Sequence, residues 1–261
     1  MLLYIHWNPS PEIFTIPIIH WPVRWYGLMW ALSFILSHFI LSRVYKTEGR
    51  KIEDLDNLTL YVMLGTIIGA RLGHCLFYDP VYYLTHPLDI LKIYEGGLAS
   101  HGGAIGILLS IWLYVKKTKE NIWWLLDRIV LVVPLAGMLI RIGNLMNSEI
   151  IGKPTHLPFA FIFESVDNIP RHPSQLYEAI YVGILFIVFI YLWKNKRNEV
   201  APGFMFGLFC VLLFTFRFLI EFLKENQEAF EDQLPLNMGQ ILSIPFILIG
   251  LYLIITRRKK N

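Results

Sequence analysis

The chain has 261 residues, 55% of them hydrophobic and only 16% charged, with a positive mean hydropathy. That is more apolar material than a soluble core of this size needs, which excludes an ordinary water-soluble enzyme. The net charge of +3 says little by itself, and no nucleic-acid partner is expected.

The apolar residues fall into seven blocks, each near the roughly 20 residues that span a hydrocarbon core. The first, 19–41, opens on Arg24-Trp25-Tyr26-Gly27, a guanidinium beside a phenol. The second, 58–78, carries Arg71 among Gly65, Gly69 and Gly73; the third, 98–115, opens on His101-Gly102-Gly103-Ala104-Ile105-Gly106. The fourth, 122–140, contains Asp127 and Arg128 and runs into Arg141-Ile142-Gly143-Asn144-Leu145-Met146-Asn147-Ser148-Glu149, with Gly152 beyond. The fifth, 176–193, is entered through His172-Pro173-Ser174-Gln175-Leu176-Tyr177-Glu178, where Pro173 suits a helix's first turn. The sixth, 203–223, holds Arg217 and Glu221; the seventh, 238–255, follows Asn237. Backbone groups in lipid must pair within their own segment, so blocks this long have to be helices. The expected fold is all-α: a polytopic integral membrane protein of about seven transmembrane helices, forming one catalytic domain over 1–261.

Seven spans put the termini on opposite sides. One set of connectors holds Arg43, Lys46, Arg50, Lys51, Lys116, Lys117, Lys119, Lys194, Lys196, Arg197, Arg257, Arg258, Lys259 and Lys260, fourteen of the 23 Lys and Arg. The positive-inside rule then places the C-terminus in the cytoplasm and the N-terminus outside. No basic leader precedes the first block, which reads as retained. Two outward-facing connectors are long, 144–173 and 224–237, the second with acidic Glu225, Glu228, Glu231 and Asp232. Loops of that length usually fold over or bind something, so the working face is expected there.

Cys75 and Cys210 lie inside predicted spans and read as packing residues. No metal-ligand spacing occurs, and neither metal nor organic cofactor is expected. Gly65, Gly69 and Gly73, and likewise Gly203 and Gly207, have the spacing of close helix–helix packing. Gly102 and Gly106 are set apart because they follow His101, where a bare backbone lets a bulky ligand approach.

Arg24, Arg71, His101, Asp127, Arg128, Arg141, Asn144, Glu178, Arg217 and Glu221 all fall at membrane depth. A charge at a helix centre costs about 2.5–3.5 kcal/mol on insertion scales. Mutual pairing accounts for some; Arg217 and Glu221 are one turn apart. The set nevertheless has more arginine than acid, and surplus positive charge calls for an anion. The simplest anion that reaches membrane-embedded arginines is a lipid phosphate, whose oxygens suit the planar guanidinium. An enzyme acting on an anionic phospholipid and a transporter of anionic lipid or small anions both satisfy this.

The runs R-I-G-N-x-x-N-x-E, H-G-G-x-x-G and H-P-S-Q-L-Y-E, with Gly-Ala-Arg71-Leu-Gly, Arg217-Phe-Leu-Ile-Glu221 and Asn237-Met-Gly-Gln-Ile-Leu-Ser243, resemble the bacterial prolipoprotein diacylglyceryl transferase family along almost the whole chain. Ile140 stands where that family usually has Gly, Leu145 where Phe is common, and Lys224 where Arg is frequent. The resemblance implies transfer of diacylglyceryl from phosphatidylglycerol to the lipobox cysteine of a preprolipoprotein signal peptide. A thioether forms and glycerol phosphate leaves, at the outer leaflet of the bacterial inner membrane.

Such chemistry needs a base for a thiol of ordinary pKa near 8.5, stabilisation of the phosphate leaving group, and alignment of two membrane-held substrates. His101 is either that base or an orienting hydrogen-bond partner. Tyr26 is a candidate head-group donor, and Arg141 and Arg217 a phosphate clamp. Asn144 and Glu149 fix head-group hydroxyls or orient Arg141, and Gly152 shapes the backbone there. Arg24, Arg71 and Glu221 complete the candidate substrate-binding set, the two arginines as phosphate contacts or bundle ion pairs. His172, Gln175 and Glu178 either line the site or cap and pack the fifth helix. Against a transporter stands the absence of any repeat or paired broken helices. Against an intramembrane protease, Asp127 has no second aspartate.

Overall fold

The computed structural model describes residues 4–17, 21–93, 97, 99–226, 231 and 234–258. Ile19 and Leu98, where two expected spans begin, the acidic Glu228 and Asp232, and the terminal Lys259 and Lys260 lie outside these. The N-terminal elements are β1 (Ile5–Trp7), β2 (Glu12–Ile16), β3 (Trp21–Arg24) and α1 (Trp25–Thr47). Next come α2 (Ile52–Phe77), α3 (Pro80–Thr85), a 3₁₀ turn (Pro87–Leu91) and α4 (Ser100–Thr118). They are followed by α5 (Ile122–Ile129), α6 (Val133–Met146), β4 (Phe161–Phe163), β5 (Pro170–Arg171) and α7 (Ser174–Lys196). The chain closes with α8 (Phe204–Ile220), a 3₁₀ extension (Glu221–Leu223) and α9 (Met238–Thr256).

The structure is mostly helical, but it corrects the all-α expectation. β1, β4 and β5 form one small sheet and β2 pairs antiparallel with β3. Residues 21–24 belong to that hairpin, so α1 starts at Trp25 rather than near the predicted position 19. Pro22 has no N–H to give a helical ladder, and strand pairing satisfies the rest of this stretch.

Among the described residues, five helical segments are long and apolar enough to cross a membrane: α1, α2, α7, α8 with its extension, and α9. A sixth is obtained if α5 and α6, bent by 41° at their junction, count as one span. The break is intelligible, because Pro134 occupies the first turn of α6 and cannot continue the hydrogen bonding of a preceding helix. α4 is not among these spans. It opens on Ser-His-Gly-Gly and ends with Lys116 and Lys117, which dilutes its apolar middle. The count of seven therefore stands on the sequence, and length with composition carries five or six. Outward apolar side chains such as Ile187 at 67% and Ile255 at 77% exposed suit lipid as the surrounding solvent.

The chain forms two compact units, Met1–Ser37 with Trp123–Asn261, and His38–Ile122. In the first, the buried strand residues Phe161 and Phe163 pack with Leu145, Trp7, Ile151 and Leu176, fixing the sheet over the C-terminal end of α6. Trp7 Nε1 donates to the Leu145 carbonyl at 2.9 Å. Asp127 accepts from the N–H groups of Gly203 and Phe206, both at 2.8 Å, and so caps the start of α8. Gly203, with φ +99, makes the left-handed turn into that helix and lies against Trp123, so it is a turn glycine and not part of a packing face. Gly207 does pack, against Gly250 and Leu253 of α9.

In the second unit, α2 and α4 touch along glycines on both sides. A Cβ at Gly69 would fall 2.4 Å from the Gly102 carbonyl oxygen, and one at Gly106 2.0 Å from that of Gly65. The glycines after His101 are therefore spent on helix packing, which corrects their reading as a ligand approach. A side chain there forces the backbones apart. Gly106→Val is expected to lower thermal stability by about 1–3 kcal/mol or prevent folding, as overpacking does. Gly27→Ala, where nothing lies within 4 Å, should leave the detergent melting temperature unchanged. Equal melting of Gly106→Val and wild type would refute the close seam.

Candidate active site

The chemistry-bearing residues of the first unit form a connected polar chain. It starts in the turn after α6, where Asn147 Nδ2 donates to Glu149 Oε1 at 3.0 Å and Asn144 Nδ2 to Glu149 Oε2 at 3.2 Å. Asn144 is 3% exposed, and its Oδ1 accepts from Arg141 Nη1 at 3.2 Å. Arg141 Nε lies 2.8 Å from Glu178 Oε2 on α7, an ion pair held by charge rather than by an aligned hydrogen bond. Glu178 Oε1 lies 3.6 Å from Lys224 Nζ, which donates to Glu221 Oε1 at 2.8 Å. Glu221 Oε1 also faces Arg217 Nη2 at 3.9 Å, and Glu221 Oε2 accepts from Asn237 Nδ2 at 3.1 Å.

Local sequence explains how each member is held. Gly143, inside R-I-G-N, lets Tyr26 lie against α6: a Cβ there would be 2.9 Å from the tyrosine ring. Asn237 caps α9 in a reciprocal capping box with Gln240. Gly239 leaves room for the Glu221 carboxylate, which a Cβ would meet at 2.6 Å. A carboxylate at a helix N-terminus is favoured by the helix dipole. The turn carrying Glu149 is strained, with Ser148 at φ 54 and Ile150 at φ 57, a rare conformation for a β-branched residue. It is pinned from α7, where Ser174 Oγ donates to the Ile150 carbonyl at 2.7 Å and fully buried Gln175 donates to the Glu149 carbonyl.

Tyr26, Arg24, Gly27, Asn147 and Glu149 line an open cleft of about 640 Å³. Arg24 is largely exposed and lies 3.5 Å from Glu12. Glu149, Tyr26 and Arg24 thus meet at one cleft, with Asn144 and Arg141 joined to it through Glu149 and with Arg217 and Glu221 at the far end of the polar chain. Gly152 contributes backbone: its N–H donates to the His172 carbonyl at 2.9 Å, and it bridges antiparallel to Lys224. A Cβ on Gly152 would sit 2.6 Å from the His172 oxygen. Beside this bridge, Lys153 N–H donates to the Leu223 carbonyl at 2.8 Å, and Arg171 joins Asp167 and Glu225.

In the second unit, His101 is exposed at the start of α4 and stacks on Tyr78, ring centroids 5.9 Å apart. Tyr78 stacks in turn on His74 at 5.4 Å. Arg71 donates to the carbonyls of Ile90, Gly97 and Asp89 and lies over the Tyr83 ring, so its guanidinium organises the loop after α3.

Sequence reasoning left Lys224 and Asn147 out of the candidate set and gave Glu178 no fixed role. For Lys224 a signal was present: Arg217, Glu221 and Lys224 follow at i, i+4 and i+7, one face with alternating sign. The structure also balances what had been read as surplus arginine. Arg141, Lys224 and Arg217 alternate with Glu149, Glu178 and Glu221.

The family model for prolipoprotein diacylglyceryl transferase matches residues 11–256. The chain is 47% identical to the phosphatidylglycerol–prolipoprotein diacylglyceryl transferase of Bacteroides fragilis, over 100% of this chain and 98% of that protein. It is 46% identical to the protein of the same name from Tolumonas auensis, over 98% and 99%. For the one from Chloroherpeton thalassium the identity is 45%, over 96% and 93%.

Burial pushes the His172 imidazole below its ordinary value of 6.5. The folded state then favours the neutral ring, while the unfolded chain takes up its proton as pH falls through the ordinary value. Stability is therefore lost as pH drops from 7 toward 5. The Arg171 guanidinium holds the Asp167 carboxyl below the usual range, so that pair weakens only at lower pH, as the depressed value is approached. Melting temperature between pH 7 and 5 should fall less in His172→Asn than in wild type. Identical slopes would remove His172 from the account.

Proposed function

This chain belongs to the prolipoprotein diacylglyceryl transferase family, and on that premise we propose how its residues divide the reaction. It is a membrane transferase that moves the diacylglyceryl group of phosphatidylglycerol onto a prolipoprotein. A transporter without chemistry finds no support in these relatives.

The acceptor is the lipobox cysteine of the signal peptide. Its sulfur forms a bond to the terminal glyceryl carbon, and the bond from that carbon to the phosphate oxygen breaks. The thiol proton passes to a base, and glycerol phosphate leaves with the bonding electron pair. Arg141 and Arg217 hold the phosphate as charge builds on the leaving oxygen. The observation that carries this role is their graded exposure beside the sealed Glu178, Lys224 and Glu221. The side chains of Arg141 and Arg217 are 19% and 39% exposed, while those of Glu178, Glu221 and Lys224 are 7% or less. Among the cations of the polar chain, the two arginines are the ones with donors open to a ligand.

Asn144 and Glu149 orient Arg141 and meet head-group hydroxyls, Tyr26 donates to the head group, and Arg24 is a further phosphate contact at the cleft mouth. Glu221 fixes the height of Arg217. Gly152 acts through the backbone it allows, and Arg71 through the loop it ties. His101 is the base, its ring plane set by Tyr78.

The wider topology is seven spans across one catalytic domain, 1–261, with α4 as the seventh because it lies along span-length α2. The basic connectors support a cytoplasmic C-terminus and an external N-terminus. The loops 144–173 and 224–237 then face the outer leaflet of the bacterial inner membrane, where the reaction runs.

Purified protein given phosphatidylglycerol and a lipobox peptide should add one diacylglyceryl mass to the peptide cysteine. Intact lipid and unmodified peptide would overturn the assignment. Arg141→Ala and Arg217→Ala should each lower turnover by about 10²-fold or more, as loss of a leaving-group donor does. Wild-type rates in both would remove the clamp. Substantial activity in His101→Ala or His101→Gln would dismiss His101 as the obligatory base.

A further inference from the structure

Lys224 has no place in the reaction as just described, yet its side chain is 4% exposed and it stands between two buried carboxylates. A lysine is almost never buried without a paired charge, and here it has two. The way the glutamates divide their oxygens is informative. Glu178 turns one oxygen to Lys224 and the other to Arg141. Glu221 gives Oε1 to Lys224 at 2.8 Å, leaving Arg217 at 3.9 Å from the same atom, and gives Oε2 to Asn237. Without the ammonium, two buried carboxylates would have only Arg141 and Arg217 as cations in the chain of contacts. Coulomb attraction in a low-dielectric interior would draw both guanidiniums onto them.

We propose that Lys224 is a positioning residue for the phosphate clamp: it neutralises Glu178 and Glu221 so that Arg141 and Arg217 keep donors free for the anionic head group. This deepens the clamp reading above and rests on it. The backbone holds the lysine in place independently of its charge. Gly152 bridges to Lys224 itself, Lys153 N–H reaches the Leu223 carbonyl, and Arg171 grips Glu225 at 2.7 Å. A compact ammonium between two carboxylates meets the need, because it offers charge without the directional fork that would compete for the phosphate.

The test uses the full-length enzyme in mixed micelles, with lipobox peptide fixed and phosphatidylglycerol varied. Lys224→Met should raise KM for phosphatidylglycerol about tenfold, a loss equivalent to one hydrogen-bonded charge, with a smaller change in kcat. Inhibition by glycerol phosphate should weaken in parallel. Lys224→Arg, which keeps the charge, should stay within about threefold of wild type on the same scale. If Lys224→Met does not fold, Lys224→Met/Glu178→Gln decides, since it removes one carboxylate together with the cation. Its KM should return most of the way to wild type.

Wild-type KM in Lys224→Met, or a loss of melting temperature with KM unmoved, overturns the positioning role. A double variant with KM as high as that expected of the single variant also overturns it. Arg141→Lys and Arg217→Lys are measured alongside. If they raise KM while Lys224→Met does not, the clamp stands and only the present inference falls. If none of them changes KM or turnover, the clamp itself is lost.

Discussion

A carboxylate taken out of water in a bundle bordered by lipid must meet a cation where it stands. Leaving a buried charge uncompensated costs more than most packing interactions can return. In this chain that constraint is met by alternation rather than by isolated pairs. Glu149, Arg141, Glu178, Lys224, Glu221 and Arg217 follow one another through side-chain contacts, with Asn144 as a neutral bridge between the first two. The arrangement is closed to solvent at Glu178, Lys224 and Glu221 and opens at Glu149 and at the two arginines. A balanced chain of this kind is not an unpaired positive cavity.

The surrounding architecture serves to keep the acids where the cations are. Glu221 is received by the N-terminus of α9, whose capping box and Gly239 shape a niche for it. Glu149 rides on a turn with two left-handed non-glycine residues, which costs of order 1–3 kcal/mol each and persists only if over-determined. The determinants are visible: Ser174 and Gln175 hold the carbonyls of Ile150 and Glu149, and Trp7 holds that of Leu145. The motif H-P-S-Q-L-Y-E thus works largely as a brace for R-I-G-N-L-M-N-S-E. Its serine and glutamine secure the turn, and its glutamate pairs with the arginine.

The helices were legible in the sequence because lipid leaves the backbone no alternative to internal pairing, and seven apolar blocks all became helical. Their edges were less so. Positions 21–24 look as apolar as a span but pair as a strand, since water outside the bilayer permits what lipid forbids. The break between α5 and α6 has its mark in Pro134, in the first turn of α6. Among candidate site residues, Arg141 and Asn144 stood out by being polar at membrane depth, and Tyr26 and Glu149 through the runs R-W-Y-G and R-I-G-N-x-x-N-x-E. Lys224 did not, since a lysine one residue past an expected span end reads as a solvated connector. Only the fold reveals that a backbone bridge to Gly152 turns it inward. The glycines after His101 misled for a related reason: spacing alone does not tell whether a bare backbone faces a ligand or another helix.

The α2–α4 seam has a mechanical consequence. With Gly65 and Gly69 offering carbonyl oxygens to Gly106 and Gly102, the two helices mesh like racks, and a shift of α4 by one residue would drive Ile105 or Ile107 into the Gly65 oxygen. The altitude of His101 along α2 is therefore indexed to Tyr78 at the end of that helix, tooth by tooth, and cannot drift with the mobility of a loop. A histidine mounted on such a rack serves as a height gauge, presenting its imidazole at one fixed level along α2.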